Sequence, residues 1–225
     1  IGAADVELGP MRVTATVTRR RAPLGALRLN VPGRHNLLNA LATVAVGLEL
    51  DLPFERIAQG LEEFKGAERR FEVRGDVGGI LVVDDYGHHP TEIAAVLAAA
   101  KTLKRRTVVA FQPHRYSRTA ALMDAFGPAL VGADRIVLTD IYAAGEEPIA
   151  GATLERLATA VRAAAGAPVD VVPRVEDVAA VLAGLVQRGD LVITLGAGSI
   201  GTVPDRLIGL LTRAEAGEIA RKKPS

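Results

Sequence analysis

Five short, nearly all-apolar runs recur from residue 67 onward, at 80–83, 107–111, 135–139, 169–172 and 191–195, and stretches of helical spacing follow them or lie between them. The helical stretches fall at about 91–103, 119–131, 153–165 and 175–187, with a last one at about 204–213. Strands buried on both faces read as continuous apolar runs, and helices between them serve as crossovers. This rhythm predicts an α/β fold, a doubly wound, mostly parallel sheet of the Rossmann-like kind. Aromatic residues are only 4% of the 225 residues and Trp is absent, so Ala, Val, Leu and Ile must build the core. Lys and Arg number 27 against 26 Asp and Glu, a net charge of +1. No overall field recruits nucleic acid or a membrane surface. Cys is absent, which excludes disulfides, thiol nucleophiles and Cys-type zinc sites. No apolar run reaches the ~18 residues of a membrane span, and no basic-then-apolar leader opens the chain. A soluble, cytoplasmic protein is the expectation.

Residues 1–66 lack this rhythm. Alternating β-branched residues predict strands at 11–18 and 26–31 with a turn between them. Pro32-Gly33 breaks the chain, and helical spacing follows from about 36 to 50. Pro53 suits the first turn of a second helix over 54–64, which Gly66 ends. Two strands and two helices make an incomplete unit, read as the remnant of a preceding domain, with a complete domain over 67–225. A first residue that is Ile also suggests a partial chain. The tail at 221–225 is expected to fray.

Ligands of open α/β sheets bind at the carboxyl ends of the strands, and those ends are polar here. The run at 80–83 leads into DDYGHHP (84–90), that at 107–111 into QPHRYSR (112–118), and that at 135–139 into a loop with Asp140, Tyr142, Glu146 and Glu147. Three of the four His lie in the first two loops, and His35 lies in PGRHNLLN (32–39). Other readings of each motif stand beside a functional one. Pro90 suits N1 of a helix, with His89 near the cap. Asp84, Asp85, His88 and His89 are metal-ligand types, but adjacent residues of an extended segment point apart, so at most one of each pair could share a site. Arg115 and Arg118 share a face if the next helix has already begun, and can then grip a carboxylate or phosphate; otherwise they are solvated. Asn36 could cap a helix. Together with Asn39, three residues on, it could instead pair with a purine edge, since a carboxamide both donates and accepts. Arg69-Arg70 is either a solvated pair or a cation for nucleotide phosphates. Gly196, Gly198 and Gly201 match the dinucleotide spacing in form, but follow the last strand and read as a tight turn. A Gly-rich Lys-Ser/Thr phosphate loop is absent from the sequence.

Together the strings VPGRHNLLNALA (31–42), RRFE (69–72), DDYGHHPTEI (84–93), FQPHRYSRT (111–119), AGEEPIAG (144–151) and TLGAGSIG (194–201) resemble the Mur ligases. The resemblance runs in one consistent order from residue 11 onward and is closest to the family's alanine-adding branch. The branch that recycles a tripeptide is the runner-up. The family has three domains, and the chain resembles the end of the second, ATP-binding one and all of the third. The resemblance implies ATP-dependent joining of L-alanine to the carboxylate of UDP-N-acetylmuramate through an acyl phosphate, in peptidoglycan precursor synthesis. It implies that Asn36 and Asn39 contact adenine with His35 beside them, that Arg70 meets the phosphates, and that Asp85 accepts the ribose hydroxyls. It implies substrate roles for Tyr86, His88, His114, Arg115 and Arg118, with the last two holding the alanine carboxylate. The UDP-sugar domain, the phosphate loop and the main magnesium ligands would lie upstream, so the chain alone is expected to be inactive. Two other classes remain open: a metal-dependent phosphoesterase built on the Asp-Asp and His-His loop, and a non-catalytic nucleotide-binding module.

Overall fold

A computed structural model describes residues 1–64 and 66–222, with side chains given through residue 217 except at residue 65. The chain forms two sheets, each with its own helices. The first is a three-stranded antiparallel meander of β1 (Gly2–Leu8), β2 (Val13–Arg19) and β3 (Ala22–Leu29). Val13, Ala15 and Val17 point inward while the intervening Thr residues stay on the open face, the alternation expected of a half-covered sheet. Helices α1 (Arg34–Glu49) and α2 (Phe54–Glu63) cover the inner face, bringing Leu37, Val44, Phe54 and Ile57 onto Val13, Val17, Leu27 and Leu29.

The second sheet has six strands in the order β4 (Glu72–Val77), β5 (Ile80–Asp85), β9 (Leu191–Leu195), β6 (Thr107–Phe111), β7 (Arg135–Leu138) and β8 (Val169–Val171). All neighbours are parallel except β4 and β5. Alternate strand residues enter two separate cores. Val83, Val109, Phe111, Ile136 and Ile193 meet α3 (Pro90–Ala100), α4 (Tyr116–Ala129) and α5 (Leu154–Ala164) on one face. Val82, Val108, Ala110, Val137 and Val192 meet α6 (Val175–Leu185) and α7 (Val203–Lys222) on the other. This is the doubly wound arrangement the sequence predicts.

Two strands were not predicted. Five of the seven residues of β1 are exposed, so no apolar run marks it, and β4 reads Glu-Val-Arg-Gly-Asp-Val on the sheet edge. The last helix, expected to end near 213, continues to Lys222; of the tail expected to fray, 223–225 lie outside the described residues. Among the described residues no helix is long and apolar enough to cross a membrane.

Candidate functional site

The last strand, β9, inserts between β5 and β6, so the loops after these three strands meet on one rim. Two groups of side chains lie along it.

The first group surrounds a cavity of about 650 Å³ between α1 and the start of α3, lined by His35, Asn36, Asn39, Arg70 and Asp85 among others. Helix α1 begins one residue after Gly33, whose φ of 94° favours glycine; a Cβ there would lie 2.7 Å from the His35 ring. Asn36 is therefore not the cap. It sits inside the first turn, and its Nδ2 donates to the Pro32 carbonyl at 2.7 Å. The spacing left capping open, and the break at Pro32-Gly33 moves the helix start forward. Burial, and then the nearby Arg70 charge, hold the His35 pKa below the ordinary imidazole value. Arg70 stays half-exposed, with Glu92 at 3.6 Å.

The two carboxylates that end β5 face different partners. Asp84 is fully buried; its Oδ2 accepts from Arg69 Nε at 2.7 Å and its Oδ1 from the Thr194 hydroxyl. Asp85 accepts the amide N–H of Phe71 at 2.7 Å and that of Gly87 at 2.6 Å. Burial pushes its pKa up, against the pull of those two N–H groups and of Arg70. His89 turns away to cap α3: its Nδ1 accepts from Thr91 N, and Glu92 accepts from the His89 amide. Asp84, Asp85, His88 and His89 thus do not converge, and no group of three or more potential metal ligands assembles among the described residues. The loop on which a metal-dependent phosphoesterase would be built offers no shared ligand set among the described residues.

The second group is a row of rings. Tyr86 meets His88 edge-on at 5.6 Å, His88 lies 5.4 Å from His114, and His114 stacks on Tyr142 at 5.5 Å. Arg115 does not share a helical face with Arg118. It is the N-cap of α4 with a φ of 72°, and the helix begins at Tyr116. Its guanidinium lies 3.6 Å from Glu146. Arg118 instead turns back, its NH1 3.1 Å from His114 Nδ1. Glu146, from the loop after β7, accepts both the amide and the hydroxyl of Ser117, and these two bonds hold its carboxyl below the ordinary range. Burial, followed by the charges of His88, Arg118 and Arg115, lowers the His114 pKa, with Glu146 opposing.

The Gly196–Gly201 run is a packing turn. Gln112 Oε1 accepts the Ile200 N–H at 2.9 Å, and a Cβ at Gly198 would lie 2.5 Å from Tyr142 Cγ. Sequence reasoning gave Tyr142, Glu146 and Gln112 no role of their own and weighed Arg69 only as one of a pair with Arg70. The first two lie on a polar loop after a predicted strand, which was the available signal. Arg69 differs from its neighbour Arg70 only by where it points.

A family model for the "Mur ligase, glutamate ligase domain" matches residues 69–198. The UDP-N-acetylmuramate–L-alanine ligase of Trichlorobacter lovleyi is 50% identical over 208 residues, 92% of this chain and 46% of that protein. The one from Syntrophus aciditrophicus is 46% identical over 224 residues, 97% and 47% of the respective chains. The crystal structure of the Thermotoga maritima UDP-N-acetylmuramate-alanine ligase MurC superposes with a TM-score of 0.79 at 28% identity, covering 96% of this chain and 46% of its own. The chain spans about half the length of the curated relatives it matches. With over half of its residues inside the matched model, the chain belongs to the Mur ligase family.

Proposed function

We propose that this chain forms the carboxyl-terminal half of an ATP-dependent ligase that joins L-alanine to UDP-N-acetylmuramate, a step of peptidoglycan precursor synthesis in the cytoplasm. In this reading residues 1–66 end the central nucleotide-binding domain and 67–225 form the third domain. The observation that carries it is that His35, Asn36, Asn39, Arg70 and Asp85 line one cavity. Its volume falls in the range of about 300–1,000 Å³ usual for small-molecule sites. Two carboxamides offer a purine both donors and acceptors. Val31, Ala40 and Val96 give an apolar wall, and Arg70 adds a cation at the rim. These residues fit a nucleoside with its phosphates.

When bound, ATP supplies the phosphoryl group that activates the muramyl carboxylate. The chain's own residues bind and orient. Asn36 and Asn39 hold the base beside a neutral His35, Asp85 accepts from the ribose, and Arg70 balances phosphate charge. Arg115 and Arg118 hold the alanine carboxylate, Tyr86 packs against the substrate, and His88 and His114 line the space between. The magnesium ligands are assigned to the other half of the ligase. By itself the 225-residue chain would not release phosphate on addition of both substrates.

Nucleotide titration of the chain tests the reading. Asn36→Ala and Asn39→Ala should each weaken ADP binding about tenfold, the loss of one net hydrogen bond of about 1.5 kcal/mol, while Arg118→Ala leaves it unchanged. Unchanged ADP affinity in both Asn variants would refute it.

A further inference from the structure

The site contains two histidines whose rings lie 5.4 Å apart, and their partners make them chemically opposite. His88 Nδ1 lies 3.0 Å from the Tyr86 carbonyl oxygen. A carbonyl can only accept, so Nδ1 carries the proton and the lone pair of the neutral ring lies on Nε2. His114 Nδ1 lies 3.1 Å from the Arg118 guanidinium. A guanidinium can only donate, so this Nδ1 accepts and the proton lies on Nε2. Of the two rings, only His88 has a lone pair to spare.

We propose that His88 is the general base that takes the proton from the amino group of the incoming amino acid. The proposal rests on the ligase reading above. An amino acid arrives as an ammonium with no lone pair, and cannot attack an acyl carbon until one proton has left. That proton moves from the ammonium nitrogen to His88 Nε2. The freed pair forms the C–N bond, the C–O bond to the phosphoryl group breaks, and its pair leaves with the phosphate. A second proton from the nitrogen departs on that phosphate, leaving a neutral amide. His88 then returns its proton to solvent, which its partly exposed side chain can reach.

The surroundings suit this role. Glu92 Oε2 lies 3.8 Å from His88 Nδ1 and faces the imidazolium once it forms. Burial works against the Glu92 charge, but the amide N–H groups of His88 and His89 outweigh it and keep the carboxyl ionised. On the opposite side His114 accepts from Arg118 at Nδ1, and burial with the neighbouring charges lowers its pKa, which disfavours a second cation there. Arg118 lies beyond His114, Arg115 is paired with Glu146, and the uncharged rings of Tyr86 and Tyr142 complete the row. A positioned base contributes typically about 10²–10⁴-fold.

Two measurements test it. In the ¹⁵N-labelled 225-residue chain at alkaline pH, long-range ¹H–¹⁵N correlations should show His88 as the Nδ1–H tautomer and His114 as the Nε2–H tautomer. His88 as Nε2–H would overturn the proposal, whatever any variant does. The second measurement uses this chain fused behind the amino-terminal half of the Trichlorobacter lovleyi ligase. His88→Gln should lower turnover with L-alanine about a hundredfold. Capture of the activated acyl group by hydroxylamine, an amine already unprotonated at neutral pH, should survive. Equal loss with both nucleophiles would overturn the role of His88 alone. An unsubstituted fusion that makes no product would instead overturn the ligase reading, and the base with it.

Discussion

Arg69 donates from Nε to Asp84 Oδ2 at 2.7 Å and from NH2 to the Gly196 carbonyl at 2.6 Å, tying the segment between the two sheets to the ends of β5 and β9. Its guanidinium also lies over the Tyr86 ring at 5.2 Å. Asp84 is fully buried, so removing its cation leaves a charge in the core with, among the described residues, only the Thr194 hydroxyl as a side-chain partner. Arg69→Met should therefore cost about 3 kcal/mol or more, the usual penalty for breaking a buried pair from one side. Urea denaturation reads this directly. A loss under about 1 kcal/mol would mean that Asp84 takes up a proton or water relieves it.

Two glycines should respond in opposite ways to the same added methyl group. At Gly198 a Cβ would lie 2.5 Å from Tyr142 Cγ and 2.7 Å from Gln112 Oε1, so Gly198→Ala must push the tyrosine off the His114 ring. Overpacking of this kind costs typically about 1–3 kcal/mol. Gly184 lies near the end of α6 with nothing within 4 Å of its would-be Cβ. Gly184→Ala should stabilise by about 0.5–1 kcal/mol through helix propensity and a less flexible unfolded chain. Thermal melts of both variants check the pair, and a stabilised Gly198→Ala would contradict the packing of the loop.

Stability should fall as the solution is acidified through the imidazole range. His35 and His114 both have folded-state pKa values below 6.5. Such a group binds a proton more readily when unfolded. Stability is therefore full above about 6.5 and is lost as pH falls from there toward the folded values. Glu92 and Glu146, whose pKa values are lowered from 4.5, add a further loss as pH falls below that value, while Asp85, with a raised pKa, opposes it. Urea midpoints from pH 8 to 5 should decline, and His35→Asn should flatten part of the decline. A flat profile in the unsubstituted chain would show that these rings are as solvated folded as unfolded.

The parallel strands and their helices were legible because burial on both faces writes itself as apolar runs of the right length. Strands β1 and β4 were not, since each lies at an edge and carries polar or exposed residues. Within the site, residue type and spacing left Asn36, Asn39 and Arg70 open, and the family resemblance singled them out together with His35 and Asp85, residues that line one cavity. Direction was not legible. Arg69 and Arg70 are identical in sequence terms, yet the first reaches into the core and the second lines the cavity. Arg115 and Arg118 have helical spacing, but the left-handed backbone at Arg115 starts the helix one residue later. Spacing alone does not carry φ.

That displacement makes Arg115 the clearer probe of amino-acid binding. Its side chain is half-exposed, and among the described residues its one ion pair is with Glu146 at 3.6 Å. Arg115→Ala frees Glu146, but Glu146 keeps the Ser117 amide and hydroxyl, so the start of α4 stays capped and the fold is spared. What is lost is a cation at the rim, facing no other described partner. Arg118, by contrast, also fixes the His114 tautomer, and its loss would disturb the neighbouring ring. In the fused ligase, Arg115→Ala should raise KM for L-alanine about tenfold or more, since a hydrogen bond to a charged group is worth about 1.5–3 kcal/mol. KM for ATP should hold steady, because Arg115 does not line the cavity of Asn36 and Asn39. Arg115→Lys should recover little, as a point charge does not reproduce a planar fork. Steady-state kinetics with each substrate varied in turn would decide. A rise in KM for ATP with alanine unchanged would reassign Arg115 to phosphate and leave the alanine carboxylate to Arg118.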